Sequence, residues 1–136
     1  MPVTASWDTD EKFAIRLDVS APWTWDELRQ TLAEVRAKID EVDYRVPIIL
    51  PDAEAVARSA QPGVLTQLSA LNRYPHPRSG PNIVVQPKTA KTSAFWFRML
   101  DTVYPRVMER YRFTETIEHA RHLARERYHQ QIQQMQ

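Results

Sequence analysis

Residues 21–28, Ala21-Pro22-Trp23-Thr24-Trp25-Asp26-Glu27-Leu28, mark the point at which a strand hands over to a helix. Thr24 is placed to cap the helix by accepting from the backbone N–H of Glu27, and Glu27 to reach back to the Thr24 N–H. Trp23 precedes the cap and Leu28 follows it by four residues, the spacing of a hydrophobic staple. The junction fixes an element of the fold and carries no chemistry.

Upstream of it, Val3 to Trp7 alternates Val3, Ala5 and Trp7 against Thr4 and Ser6. Phe13 to Val19 alternates Phe13, Ile15, Leu17 and Val19 against Ala14, Arg16 and Asp18. A period of two marks half-buried strands, and Asp8-Thr9-Asp10-Glu11-Lys12 between them suits a hairpin turn. Downstream, Leu28, Leu32, Val35 and Ile39 form one stripe of a helix running from about Trp25 to Glu41. Val46-Pro47-Ile48-Ile49-Leu50 is apolar on both sides, as a parallel strand covered by helices should be. Pro47 places the start of that strand at an edge or at an unpaired position.

Val64, Leu65, Leu68 and Leu71 then define a second, short helix, with Pro62 suited to its first turn. Tyr74-Pro75-His76-Pro77-Arg78-Ser79-Gly80-Pro81 is expected to be neither helix nor ladder. Asn82 to Gln86 reads as the next buried strand. Phe95, Trp96, Met99, Leu100 and Val103 give a helix from about Ser93 to Tyr104, stopped by Pro105. Arg112-Phe113 is a candidate last strand, and Thr116 caps a closing helix that uses Ile117, Ala120, Leu123 and Ala124. Residues 128–136 are Gln-rich and expected to fray. The expectation is one α/β domain over residues 1–127, ordered β-β-α-β-α-β-α-β-α, with a mixed four- to five-stranded sheet and an antiparallel opening pair.

Composition narrows the function. The 136 residues, 43% hydrophobic and 26% charged, suit a soluble globular domain. Apolar runs such as 46–50 and 83–85 fall well short of the ~20 residues that cross a bilayer, so no membrane span is expected. No basic segment followed by an apolar core opens the sequence, so no secretory signal is expected and a cytoplasmic setting is the default. Without cysteine there is no disulfide framework, thiol nucleophile or thiolate metal site. The net charge of +1 hides an asymmetry: residues 1–72 hold 7 Lys/Arg against 12 Asp/Glu, and residues 73–136 hold 11 against 5. A cationic half serves nucleic acid, an anionic ligand or an acidic partner, or simply faces the acidic half within one domain.

Three stretches carry a resemblance that covers nearly the whole chain. One is the opening hairpin leading through Pro22-Trp23-Thr24-Trp25-Asp26-Glu27-Leu28 into the long helix. Another is Val46-Pro47-Ile48-Ile49-Leu50-Pro51-Asp52 followed by Gly63-Val64-Leu65 and Leu68. The last is Phe113-Thr114-Glu115-Thr116-Ile117-Glu118-His119-Ala120. Together they resemble the STAS fold, that of sulfate transporter and anti-sigma-factor antagonist domains. Trp23-Thr24-Trp25 and Tyr104-Pro105 are similar to a STAS-like bacterial group. The resemblance implies a non-enzymatic regulatory domain that meets a protein partner through a switch loop, here Asp52 to Gly63. Antagonist members carry Asp-Ser-Ser-Gly-Leu there, with the Ser before Gly phosphorylated. The matching residues are Ala60-Gln61-Pro62-Gly63-Val64, and Pro62 has no hydroxyl to modify. Ser59 is open to a capping role or a phosphosite.

Other constellations are thin. His119 and His122 share a helix face beside Glu115, Glu118 and Glu126, with His76 as a possible third metal ligand, but solvated histidines explain them as well. Asp52 follows the carboxyl end of a buried strand, where α/β proteins place ligands, and an Asx turn accounts for it equally. With only Gly63 and Gly80, no phosphate-cradling loop can be built. Lys88, Lys91, Arg98, Arg106, Arg110 and Arg112 surround Trp96, Phe97 and Tyr111, a pattern shared by single-strand nucleic-acid binders and by core-facing aromatic stripes. Phe95, Trp96 and Phe97 cannot all face one core, because each step of a helix turns about 100°. The candidate interaction surface is therefore Asp52, Ser59, Gln61, Gly63, Trp96 and Phe97, with no cofactor or metal expected. The partner is an unidentified protein, with homodimerisation open. The alternatives are a small-molecule or lipid-binding module whose pocket the aromatic helix would line and, ranked lower, nucleic-acid binding by the basic half.

Overall fold

A computed structural model describes residues 2–59, 62–73 and 75–135. Its elements are β1 (Val3–Trp7), β2 (Ile15–Val19), α1 (Trp25–Asp40), β3 (Val46–Leu50), α2 (Ala53–Arg58), α3 (Val64–Leu71), β4 (Ser79–Val85), α4 (Lys91–Val103), α5 (Pro105–Met108), β5 (Tyr111–Thr114) and α6 (Ile117–Met135). The fold is α/β, with one mixed five-stranded sheet in the order β1-β2-β3-β4-β5. β1 is antiparallel to β2, and β2 to β5 run parallel.

A sheet in sequence order has a consequence for its faces. Each parallel crossover steps in the same direction, so right-handed connections lay all the crossover helices on one side. On that side Leu17 packs with Trp23, Trp25, Leu28 and Val56, and Val84 with Ala53, Phe97 and Leu100. The other side is covered by α6, where Ala120 and Ala124 meet Phe13, Ile49, Ile83 and Val85. Adjacent residues of β3 and β4 therefore point to opposite faces, both covered by helices, which is why both strands carry apolar runs.

The strand-to-helix junction folds as its residues dictate. Thr24 Oγ1 accepts from the Glu27 N–H at 3.1 Å, and Trp23 and Leu28 are buried in one cluster. Thr116 Oγ1 accepts from the His119 N–H at 3.1 Å and opens α6. α4 is capped from another element: the Glu54 carboxylate of α2 accepts from the Ser93 N–H at 2.7 Å and the Thr92 N–H at 3.3 Å. An acceptor with negative charge at a helix start satisfies orphan donors and complements the helix dipole.

Four expectations are corrected. The Pro-rich segment does enter the ladder, since β4 begins at Ser79 and includes Gly80 and Pro81. Val46 pairs with Ser79 and Ile48 with Asn82, so two steps on β3 oppose three on β4, an irregularity that accommodates the missing N–H groups of Pro47 and Pro81. The segment after β3 is helical as α2, with Ala53, Val56 and Ala57 buried at helical spacing. Pro62 precedes the α3 cap, which is Gly63 in the left-handed region at φ +84°. The tail beyond Arg127 continues α6 to Met135. There Tyr128 stacks on Phe13 and Tyr44, and the Gln131 side chain accepts from the Arg45 N–H at 2.6 Å and donates to its carbonyl at 3.1 Å.

Gly80 sits where β3 and β4 approach most closely. A Cβ on it would lie 2.8 Å from the Pro47 nitrogen and 3.1 Å from the Pro47 Cα, both backbone atoms. Gly80→Ala is therefore expected to destabilise the fold by about 1–3 kcal/mol, the usual cost of overpacking. A shifted urea midpoint would measure it, and an unchanged midpoint would mean that the two strands part freely.

Candidate functional site

The residues singled out from sequence do not converge. Asp52 Oδ1 accepts from the Ala55 N–H at 3.1 Å and caps α2. Ser59 lies at the carboxyl end of α2, not at a helix start. Its Oγ accepts from the Trp23 indole N–H at 2.7 Å and reaches the Ala55 carbonyl at 2.7 Å, so the hydroxyl is engaged as donor and acceptor. Gly63 is exposed, and Gln61 lies outside the described residues. Phe97 is 6% exposed and stacks against Tyr111 and Phe113, so it is core and not surface. Trp96 is half-buried beside the cluster that contains Leu28 and Val56. The aromatic that faces outward is Phe95, 58% exposed, in line with Met99 and Val103 at successive helical turns.

What the sequence reading did not locate is the space between the helices. A cavity of about 710 Å³ lies between the sheet and its crossover helices and continues around the starting edge of β3 and β4 to α6, where Arg127, Gln130, Gln131 and Gln134 line it. Leu17, Ile48, Leu50 and Val84 form its floor. Trp25, Leu28, Leu32 and Val35 of α1 wall one side, and Leu68 and Leu71 of α3 with Trp96 of α4 wall the other. Arg29 of α1 donates to Gln67 Oε1 of α3, joining the two helices near their amino ends. The volume falls in the range of small-molecule sites, which are mostly apolar with a few placed polar groups.

One such group stands in the apolar part. Trp25 is 7% exposed, and its indole Nε1–H has no hydrogen-bond partner among the described residues. Leaving a buried donor unmet costs about 1–3 kcal/mol. Towards the edge where β3, β4 and β5 begin, the lining turns polar. Asn72 donates to the Tyr111 hydroxyl at 3.1 Å, and the Arg110 guanidinium donates to the Asn72 carbonyl at 2.8 Å. Burial pushes the Tyr111 phenol above its ordinary pKa, so it stays protonated at neutral pH. Arg36, Arg45, Arg112 and Arg127 line the same end, with Glu109 as its one carboxylate among the described lining residues.

His76, also on this lining, is fully committed. Its Nδ1 accepts from the Arg78 N–H at 3.0 Å, so the proton sits on Nε2, which donates to Asp40 Oδ1 at 2.6 Å. His119 and His122 are exposed, His122 pairs with Glu126 at 2.9 Å, and no group of metal-ligating side chains is assembled among the described residues. The His76 hydrogen bond holds the Asp40 carboxyl below its ordinary pKa, opposed by a smaller desolvation effect. A depressed carboxyl stabilises the fold above its unfolded-state pKa and loses that contribution as pH falls through the folded value, here below about pH 4. Asp40→Asn should therefore flatten the acid limb of a stability-versus-pH curve. An unaltered acid limb would place the acid sensitivity elsewhere.

No helix of the described residues is long and apolar enough to cross a membrane. Comparison of the chain with family models, curated proteins and solved structures gives no match.

Proposed function

We propose that this domain is a non-catalytic, STAS-like binding module that takes up a small, largely apolar molecule between α1 and α3. The observation that carries the reading is the 710 Å³ cavity, whose walls between α1 and α3 are apolar and include the Trp25 ring. The family part of the reading rests on the three stretches described above, of which the first folds as hairpin-to-helix and the last as strand–Thr-cap–helix, while the second carries the additional helix α2 between its strand and α3. Titration with an uncharged solvatochromic fluorophore tests the binding. One saturable site is expected, with energy transfer from Trp25 and Trp96. Absence of a saturable signal would overturn the proposal.

A second reading, recognition of a protein partner or a second copy, is favoured by the outer face of α4. Phe95, Met99 and Val103 form an exposed apolar stripe there, and Phe113 on the edge strand β5 is also exposed. Light scattering distinguishes it. A dimer that Phe95→Ser returns to monomer would support a self-interface, and a monomer at all concentrations would count against one.

A further inference from the structure

We infer that the ligand of this cavity is a single-chain amphiphile with an anionic head, its chain in the apolar interior and its head at the arginine-lined end. The inference rests on the binding reading above and adds the ligand's charge and orientation. The cavity is chemically two-ended. Around Leu28, Leu32 and Ile48 its walls are hydrocarbon, whereas at the starting edge of β3 to β5 they are guanidinium and amide. A wholly neutral ligand would leave that second end without a counterpart.

The charge at that end is unbalanced locally. Among the described residues, Arg45, Arg110, Arg112 and Arg127 make no ion pair with a carboxylate. The Arg110 and Arg112 guanidinium groups are instead held by backbone carbonyls of Asn72, Glu109 and Tyr111. That fixes their position and leaves them without a carboxylate partner among the described residues. The Nε of Arg127 is buried without any partner. Guanidinium groups pair with carboxylate or phosphate through short, charge-assisted hydrogen bonds; of this set Arg110 and Arg127 are partly buried, and Arg45 and Arg112 are exposed. A carboxylate and a phosphate head share this chemistry, so both belong to the proposal.

The test is displacement of the uncharged fluorophore from the full chain by lauric acid, lauryl phosphate and lauryl alcohol, which share one chain length. The anionic competitors are expected to displace it at least about tenfold better than the alcohol, roughly 1.4 kcal/mol of discrimination. Arg45→Gln combined with Arg127→Gln should reduce that preference, read as the ratio of acid to alcohol displacement, and an unchanged ratio would overturn the anionic head. Displacement by the acid alone assigns a carboxylate head, and displacement by the phosphate alone assigns a phosphate. Equal displacement by acid and alcohol, with fluorophore binding intact, would overturn the anionic head and leave the binding reading standing. A chain that takes up neither fluorophore nor acid would refute the cavity itself as a site.

Discussion

Ile48→Trp is expected to abolish fluorophore uptake while the domain remains folded. Ile48 sits on β3 at the floor of the cavity, packed between clusters that contain Leu28 of α1 and Val35 of α1. In a closed core the added volume would cost about 1–3 kcal/mol. Here it enters open space, so the melting temperature should change by no more than a few degrees, since ~1 kcal/mol moves it by about 4–8 °C in a small domain. Affinity should fall at least about tenfold. Phe95→Ser, on the outer face of α4, should leave uptake unchanged. If Ile48→Trp binds as the parent does, the fluorophore sits elsewhere.

The second large effect concerns the junction that opens α1. Trp23 is 1% exposed, meets Trp25 edge to face at 4.8 Å between ring centroids, and donates to Ser59. Trp23→Ala should cost about 3–5 kcal/mol, the range for removing a buried aromatic. Against a typical total of about 5–15 kcal/mol, that is a large fraction of the fold's stability. Trp23→Phe keeps most of the packing and loses the indole N–H, so it should cost about 1 kcal/mol through the Ser59 contact. Urea unfolding of the pair separates the two contributions. Equal losses would mean that the hydrogen bond, not the packing, ties β2 and α1 to α2.

Local patterns were legible wherever one residue type forces one geometry. Alternation at Val3–Trp7, the apolar run at Val46–Leu50, and the threonine caps at Thr24 and Thr116 all appear in the structure with those roles. Asp52 suits a ligand contact or an Asx turn equally, whereas in the structure it caps α2, and an Asp followed by Ala53-Glu54-Ala55-Val56-Ala57 is itself a helix start. The entry of Gly80 and Pro81 into β4 was not legible, because the irregular pairing that tolerates proline belongs to both strands at once. The tail was misjudged for a similar reason. Tyr128 and Gln131 look polar or solvent-facing until Phe13, Tyr44 and Arg45 are brought beside them.

The candidate site is the extreme case. Leu28, Leu32, Ile48 and Leu68 are recognisable as inward-facing from sequence alone, and an inward-facing leucine ordinarily means a filled core. Whether two such walls touch or stand apart depends on the spacing of α1 and α3 over the sheet, which no local pattern encodes. The arginines are equally scattered in sequence. Arg45 precedes β3, Arg110 precedes β5 and Arg127 lies on α6, and the parallel sheet brings them to one end of the cavity.

The most direct test of the binding reading is a residue-resolved NMR titration of the labelled protein with the uncharged fluorophore. The account predicts that the Trp25 indole N–H and the methyl groups of Leu32, Ile48 and Leu68 shift together and saturate at one equivalent. Shifts confined to Phe95, Met99 and Val103 on the outer face of α4, with the cavity resonances unmoved, would contradict it.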